Sequence, residues 1–519
     1  MIEQAGQLLM VGFDGLEVDE HLRRMIEEFY VGGVILFRRN VRDADQVRAL
    51  TGKIQELGKS SGYKTPILIA VDQEGGVVNR ITRGIALSPG NMALGALGDE
   101  GPAYETGKIV GRELADIGVN MNLAPVLDLA RNRENHLGTR CFGNDPELVG
   151  NLGSAYAQGL AESGVQSIGK HFLGYDGSIT DPHDSLPYNR LTRKELNPSI
   201  RPFGIAGGRL QGVMSAHVIL SCLDSNPVTF SQKVITGILR KELGFDGVVL
   251  TDCLEMGAIQ ERFATGEAAV KALKAGGDFL LVSHSETEQR KAIEAIRAAR
   301  NKGVLKENKL NESLARVRSL AEAVKDKKPG SYPLDRDRKR LEKIAGRAIT
   351  VIGDDPPVLV PGEEILLVTP KFSGRSLSPV EDEKHKEISL KSILEEHGIE
   401  VTEIEYRREF NAQKILERVK QKGDKLVVLA LEPDETVKNI ARAGRSADLD
   451  VILVALEKPW GFESVPADTL LLTYGRTRTS LRGLGAVLRG SIEPAGSPPV
   501  DIQESHSTST GKMDGNEAK

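Results

Sequence analysis

A chain of 519 residues is too long for one hydrophobic core, so two domains are expected. Its hydrophobic share of 40% and charged share of 27% are those of an ordinary soluble protein. The net charge of −5 lacks the basic excess that nucleic acid or an anionic membrane selects. No apolar run reaches the length of a membrane span, and Cys141, Cys222 and Cys253 have neither metal nor redox spacing. The N-terminal MIEQAGQLLMVGFDG lacks a basic stretch leading into a cleavable apolar one. A cytoplasmic setting with reduced thiols is therefore expected, although a mature secreted chain without its leader would read the same.

In chain order, residues 1–325 repeat one rhythm: a short apolar run, a polar tip, then an amphipathic helical stretch. The runs are QLLMVGF (7–13), GGVILF (32–37), PILIAV (66–71), NMNLAPV (120–126), VQSIGKHF (165–172), GVMSAHV (212–218), GVVLTD (247–252) and DFLLV (278–282). Segments such as ADQVRALTGKIQEL and SQKVITGILRKELG separate them, with apolar residues spaced near the helical period. Eight strands alternating with helices predict an α/β fold, a (β/α)8 TIM-type barrel. Residues 283–325 read as long helix broken at Gly303.

KDKKPGSYPLDRDRKR is charged and carries Pro329, Gly330 and Pro333, so 326–340 reads as a linker. Six further apolar runs, AITVIG, EILLVTP, VTEIEY, LVVLAL, DVILVAL and TLLLTYG, predict a smaller α/β sandwich domain over 341–492 with a mostly parallel sheet. Residues 493–519 are rich in Ser, Thr, Gly and Pro and are expected to be a disordered tail.

Barrel chemistry sits where strands end and loops begin. Asp72, Asp128, Lys170, His171, His217 and Asp252 all fall at such points, in successive units. One such Asp alone is more often a helix cap or turn former than a catalyst. In VVLTDCLEM, Asp252 has an apolar approach and an open face, which suits a nucleophile as well as a cap. The stretch KHFLGYDGSITDPHDSLP (170–187) puts two histidines and several aspartates on one long loop. In extended chain around Pro182, Asp181 and His183 face the same way, so the carboxylate can orient the imidazole and favour its protonated form. An isolated Asp-Pro-His would more often be a turn with an incidental histidine.

Several ordered motifs now resemble a known family. VDQEGGVVNR (71–80), NLAPVLD (122–128), RCFGNDP (140–146), K-H-F-x-G followed by D-x-H-x-x-L-P, MSAHV and LGFDGVVLTD are similar to blocks of glycoside hydrolase family 3, in its bacterial β-N-acetylhexosaminidase branch that acts in peptidoglycan turnover. The resemblance spans the barrel and is weak over the second domain. It implies a retaining enzyme with Asp252 as nucleophile, His183 as acid/base and Asp181 as its partner. It further implies that Asp72, Arg80, Arg140, Lys170 and His171 bind the terminal sugar through its hydroxyls, with an ion pair that merely holds loops as the alternative for the two arginines. His217 and Asp128 take supporting places, and His136 has no assigned role. The implied substrate is a carbohydrate, an N-acetylglucosaminide and possible muropeptide fragment such as GlcNAc–MurNAc. No metal and no cofactor is expected, since no Cys/His metal spacing, Walker motif or GxGxxG is present.

Leu173, Tyr175 and Asp176 depart from the family's usual K-H-F-P-G-H-G, and Pro182 replaces a small residue inside the dyad. Within the same family, a β-glucosidase would draw its acid/base carboxylate from the second domain. A phosphorylase would pass the sugar to phosphate, an anion that a histidine acid/base repels less than a carboxylate does. A catalytically silent sugar-binding protein is the non-enzymatic alternative, and the intact Asp252, Asp181 and His183 weigh against it. The second domain is expected to supply no essential catalytic group, with Glu432 a cap or a solvated charge. Nothing in the sequence sets the oligomeric state.

Overall fold

The computed structural model describes residues 3–324, 333–371, 389–407 and 424–503. Each of the eight apolar runs contains a strand or ends in one: β1 (Leu9–Val11), β2 (Gly33–Leu36), β3 (Leu68–Val71), β4 (Met121–Asn122), β5 (Gln166–Phe172), β6 (Gly212–Ser215), β7 (Val248–Thr251) and β8 (Leu280–Val282). They pair in the order β7-β6-β5-β4-β3-β2-β1-β8. The Leu250–Phe279 bridge nearly closes this parallel ring, and the Thr251 N–H donates to Phe279 O at 3.0 Å.

The strands read as unbroken apolar runs because both of their faces are buried. Met10, Ile35, Leu68, Ile168, Met214 and Leu250 form one cluster, which fills the barrel interior. Their neighbours Leu9, Val11, Val34, Leu36, Ile69 and Val71 belong to another, between strands and helices. Helix starts follow local chemistry. Asp19, Asp43 and Asp145 each accept a backbone N–H from the first turn of their helix, and Pro146 opens the helix after Asp145. Helices Glu286–Asn301 and Glu307–Ala323 are separated at Gly303, whose φ of +70° suits glycine.

The second sheet holds β9 (Thr350–Gly353), β10 (Glu364–Pro370), β11 (Glu400–Tyr406), β12 (Lys425–Ala430), β13 (Asp450–Ala455) and β14 (Thr469–Leu472), in the order β9-β14-β13-β12-β10-β11. Only the β9–β14 pair is antiparallel. Ile365, Leu367, Val427, Ile452 and Val454 pack with Leu484 and Leu488 of helix Arg478–Leu488 in a core of their own.

Two expectations are corrected. The linker read over 326–340 is shorter, because Leu334–Arg347 is a helix that Pro333 begins, burying Leu341, Ile344 and Ala345; residues 325–332 lie outside the described residues. The tail read as disordered from 493 is ordered through 503. The Ser497 N–H donates to Ala96 O at 2.8 Å, Pro499 O accepts from the Asn144 N–H at 3.1 Å, and Val500 is buried. This strand of chain ties the second domain to the barrel, while 504–519 lie outside the described residues.

Candidate active site

The predicted residues emerge from the same end of the barrel, at the tips of β3 to β7. Asp72 follows β3 directly, and a tight hairpin then carries Gln73–Gly75 against Val78–Asn79. Gly75 and Gly76 have φ of +92° and +57°, and a Cβ on Gly75 would meet Ser88 Oγ at 2.5 Å. Glycine is therefore required for the hairpin to fold back onto residues 88–90.

That hairpin delivers Glu74, which the sequence reading quoted in its motif without giving it a role. Lys170 Nζ, from β5, donates to Asp72 Oδ1 at 2.6 Å and sits 2.6 Å from Glu74 Oε1. Arg140 grips Glu74 with two parallel bonds, Nε to Oε2 and Nη2 to Oε1, both 2.9 Å. Arg80 Nη2 lies 3.5 Å from Asp72 Oδ2. Burial alone would raise both carboxyls. Lys170 and Arg80 outweigh it at Asp72, and Arg140 and Lys170 outweigh it at Glu74, holding both below the usual range. Three cations thus face two buried carboxylates, an arrangement of fixed forks and oxygens suited to vicinal hydroxyls.

His171 is paired with Asp128: the carboxylate Oδ2 accepts both its backbone N–H and its ring Nδ1–H, each at 2.8 Å. Burial works against charge on either partner, pushing the imidazole down to about 3 and the Asp128 carboxyl up to about 7. The neutral ring then keeps its proton on Nδ1, which leaves Nε2 an acceptor for a hydroxyl.

Asp252 stands half-buried just beyond β7. Its Oδ1 accepts the Cys253 N–H at 2.8 Å, and its Oδ2 faces the Tyr175 hydroxyl at 3.4 Å. Beneath it, buried His217 bonds through Nε2 to Cys253 O at 2.9 Å and through Nδ1 to Thr229 Oγ1 at 2.8 Å, which suits the supporting place expected for it.

Asp181 and His183 are joined as expected, but by another route. The Asp181 Oδ1 accepts the His183 backbone N–H at 2.9 Å and its ring Nδ1–H at 2.7 Å. The Asp184 and Ser185 N–H groups both donate to Asp181 O, so the segment is a tight turn with Pro182 at its second position, not extended chain. Burial alone would raise Asp181; the bonds from the His183 ring and backbone outweigh it and hold the carboxyl at about 2. His183 keeps 32% of its side chain exposed.

The loop carrying this pair is clamped at both ends. Asn135 Nδ2 donates to Tyr175 O and Ser178 O at 2.7 and 2.6 Å, and Asp176 Oδ2 accepts from Ser199 at 2.6 Å and lies 3.3 Å from Arg131 Nε. At the other end, Pro182 O accepts the Ala258 N–H at 3.2 Å, and Gly257 leaves room where a Cβ would come within 2.6 Å of His183 O. Neither Asn135 nor Glu74 has a role in the sequence expectations, and Tyr175 enters them only as a departure from the family motif. For Glu74 a signal was present in the sequence, an acidic residue beside Asp72 in a glycine-rich turn at a strand end.

Among the described residues no cluster of His, Cys, Asp or Glu could hold a metal ion, and no helix is long and apolar enough to cross a membrane. A cavity of about 1000 Å³ between helices Glu100–Asp116 and Leu334–Arg347 contains none of these side chains.

Residues 1–320 match the model of the glycosyl hydrolase family 3 N-terminal domain. The chain is 39% identical over 287 residues to a β-hexosaminidase of Alkalilimnicola ehrlichii, covering 54% of this chain and 81% of the relative. It is 36% identical over 297 residues to a β-hexosaminidase of Chromobacterium violaceum, covering 56% and 82%. Among solved structures, a family 3 β-N-acetylglucosaminidase from Paenibacillus sp. str. FPU-7 superposes with a TM-score of 0.88 at 34% identity, over 97% of this chain and 99% of that one. It spans both domains, including the one whose sequence resemblance is weak. This chain belongs to glycosyl hydrolase family 3.

Proposed function

We propose that the protein is a retaining β-N-acetylhexosaminidase that removes terminal β-linked N-acetylglucosamine. The observation that carries this reading is the Asp181–His183 pair: an acid/base complete within the barrel, on a loop beside the strand end that bears Asp252. The Ala258 N–H, six residues beyond Asp252, donates to Pro182 O at 3.2 Å, which supports a shared site.

In the first step Asp252 attacks the anomeric carbon while imidazolium His183 protonates the leaving oxygen, giving a glycosyl-enzyme through an oxocarbenium-like transition state. Neutral His183 then takes a proton from water, whose oxygen displaces Asp252 with net retention. Asp181 holds the His183 Nδ1–H, so the other ring nitrogen, Nε2, carries the proton in transit. Asp72, Arg80, Arg140, Lys170 and His171 hold the sugar, with Glu74 fixing Arg140 and Lys170 from behind. Cell-wall fragments of the GlcNAc–MurNAc type, met in the cytoplasm, are the proposed natural substrates.

The test is turnover of an aryl β-N-acetylglucosaminide followed by NMR of the first product. The β-anomer of free N-acetylglucosamine is expected, and kcat/KM should exceed that for the matching glucoside. Formation of the α-anomer, a preference for glucose, or a sugar phosphate in phosphate buffer would each overturn the reading.

A further inference from the structure

Two contacts fix the phenol of Tyr175. Its oxygen accepts the backbone N–H of His217 at 2.8 Å, and its proton is turned toward Asp252 Oδ2 at 3.4 Å. The ring is buried between His136, edge-on at 5.5 Å, and His171, tilted at 5.1 Å. Its carbonyl is held by Asn135. Among the described residues, the acceptor that the hydroxyl faces is Asp252 Oδ2.

The two oxygens of Asp252 are held unequally. Oδ1 has a short bond from the Cys253 N–H, at 2.8 Å, whereas among the described residues Oδ2 has the long contact with Tyr175 alone. Oδ2 is the oxygen whose lone pair is more available, and so the one that forms the bond to the anomeric carbon. A long hydrogen bond to a resting carboxylate costs little nucleophilicity. The same donor matters more when the carboxylate leaves, because full negative charge then returns to Oδ2.

We propose that Tyr175 is a positioning residue for Asp252 that acts mainly in the second half of the reaction, donating a hydrogen bond to Oδ2 as that oxygen is expelled from the glycosyl-enzyme. This rests on the double displacement described above. In that step the water oxygen bonds to the anomeric carbon, the bond from that carbon to Oδ2 breaks with its electron pair going to Oδ2, and the water proton goes to His183. The phenol keeps its own proton throughout. Burial and the nearby Asp252 charge raise its pKa far above the ordinary tyrosine value, so it remains a donor at working pH.

The experiment is Tyr175→Phe in the full chain, which keeps the ring between the two histidines. On an activated aryl β-N-acetylglucosaminide, kcat should fall about tenfold or more, the size expected for one hydrogen bond to a developing charge. KM should fall in proportion, leaving kcat/KM within about twofold, because loss confined to the second step does not enter kcat/KM. A burst of aryl release should appear, and the quenched protein should carry the mass of one N-acetylhexosaminyl group. Tyr175→His, with a ring and an N–H donor, should turn over faster than Tyr175→Phe; equal or slower turnover counts against the proposal. A parallel fall in kcat and kcat/KM with neither burst nor adduct would reduce Tyr175 to packing and overturn it. Inversion of configuration by the wild-type enzyme would instead sink the double displacement itself, whatever the tyrosine does.

Discussion

One oxygen of Asp128 accepts both the backbone N–H and the ring Nδ1–H of His171, each at 2.8 Å. This single acceptor sets where the peptide lies and which tautomer the ring adopts, so it decides whether Nε2 presents a lone pair at the barrel mouth. Asp128→Asn keeps the shape but replaces a strong acceptor by a weaker one. A loss of about tenfold in kcat/KM is expected, falling mostly on KM. Unchanged steady-state kinetics in the Asn variant would mean that the His171 ring does not touch substrate.

Asp252→Ala should lower turnover by at least about a thousandfold while leaving the melting temperature close to wild type. The side chain is half-buried at an open strand end, and its bonds from the Cys253 N–H and the Tyr175 hydroxyl are themselves only partly buried. Small external nucleophiles such as azide should restore some turnover in the Ala variant. Activity above that threshold without rescue agents would rule out a covalent role.

His183→Ala should discriminate between leaving groups. An activated aryl glycoside leaves without a proton, so its first step should change little, while a disaccharide should slow by about a hundredfold or more. Equal losses on both substrates would mean that His183 shapes the loop rather than moving a proton.

The parts of this site that were legible in the sequence share a physical cause. Strand runs such as PILIAV and GVVLTD stand out because both faces are buried, and the polar residue ending each run marks the barrel mouth. The linker was misread because charge dominates KDKKPGSYPLDRDRKR, while the apolar face of its helix, Leu341, Ile344 and Ala345, falls outside that stretch. The tail hid its order in a few positions, since Pro499 and Val500 bind neighbours that are distant in sequence. For Asp181 and His183 the pairing was legible and its geometry was not. Proline favours extended chain before it, but it also fits the second position of a turn, and the hydrogen bonds to Asp181 O select the turn. Tyr175 stood out only as a departure from the family motif, because its contacts with Asp252 and His217 arise only in the closed barrel.

Glu113 carries a pH-dependent cost. Burial first, and then the nearby charge of Asp337, push its carboxyl up to about 7. A folded value above the unfolded one favours the protein below about pH 4.5 and loses that favour as pH rises through about 7. Glu113→Gln removes the ionisation. It should therefore match wild type near pH 4 and be more stable at pH 8, by about 1–2 kcal/mol. Melting curves at the two pH values measure this, and a parallel response of both proteins would show that Glu113 does not titrate in that window.

The second domain should steady the sugar site without supplying a reacting group. Glu432 lies at an exposed strand end, 3.6 Å from Lys458, where an ion pair contributes little. Glu432→Gln is therefore expected to keep kcat within about twofold of wild type and to leave the melting temperature nearly unchanged. Thr479 is different. Its hydroxyl donates to Leu87 O at 2.8 Å, and residues 88–90 pack directly against Gly75 and Gly76 of the hairpin that presents Asp72, Glu74 and Arg80. Thr479→Val keeps the side chain's shape and removes that bond, leaving a buried carbonyl short of one donor. A rise in KM of a few-fold with kcat retained, and a stability loss of about 1 kcal/mol, are expected. A collapse of kcat in Glu432→Gln with the fold intact would place a catalytic carboxylate in the second domain, and the acid/base would then have to be sought there rather than at His183.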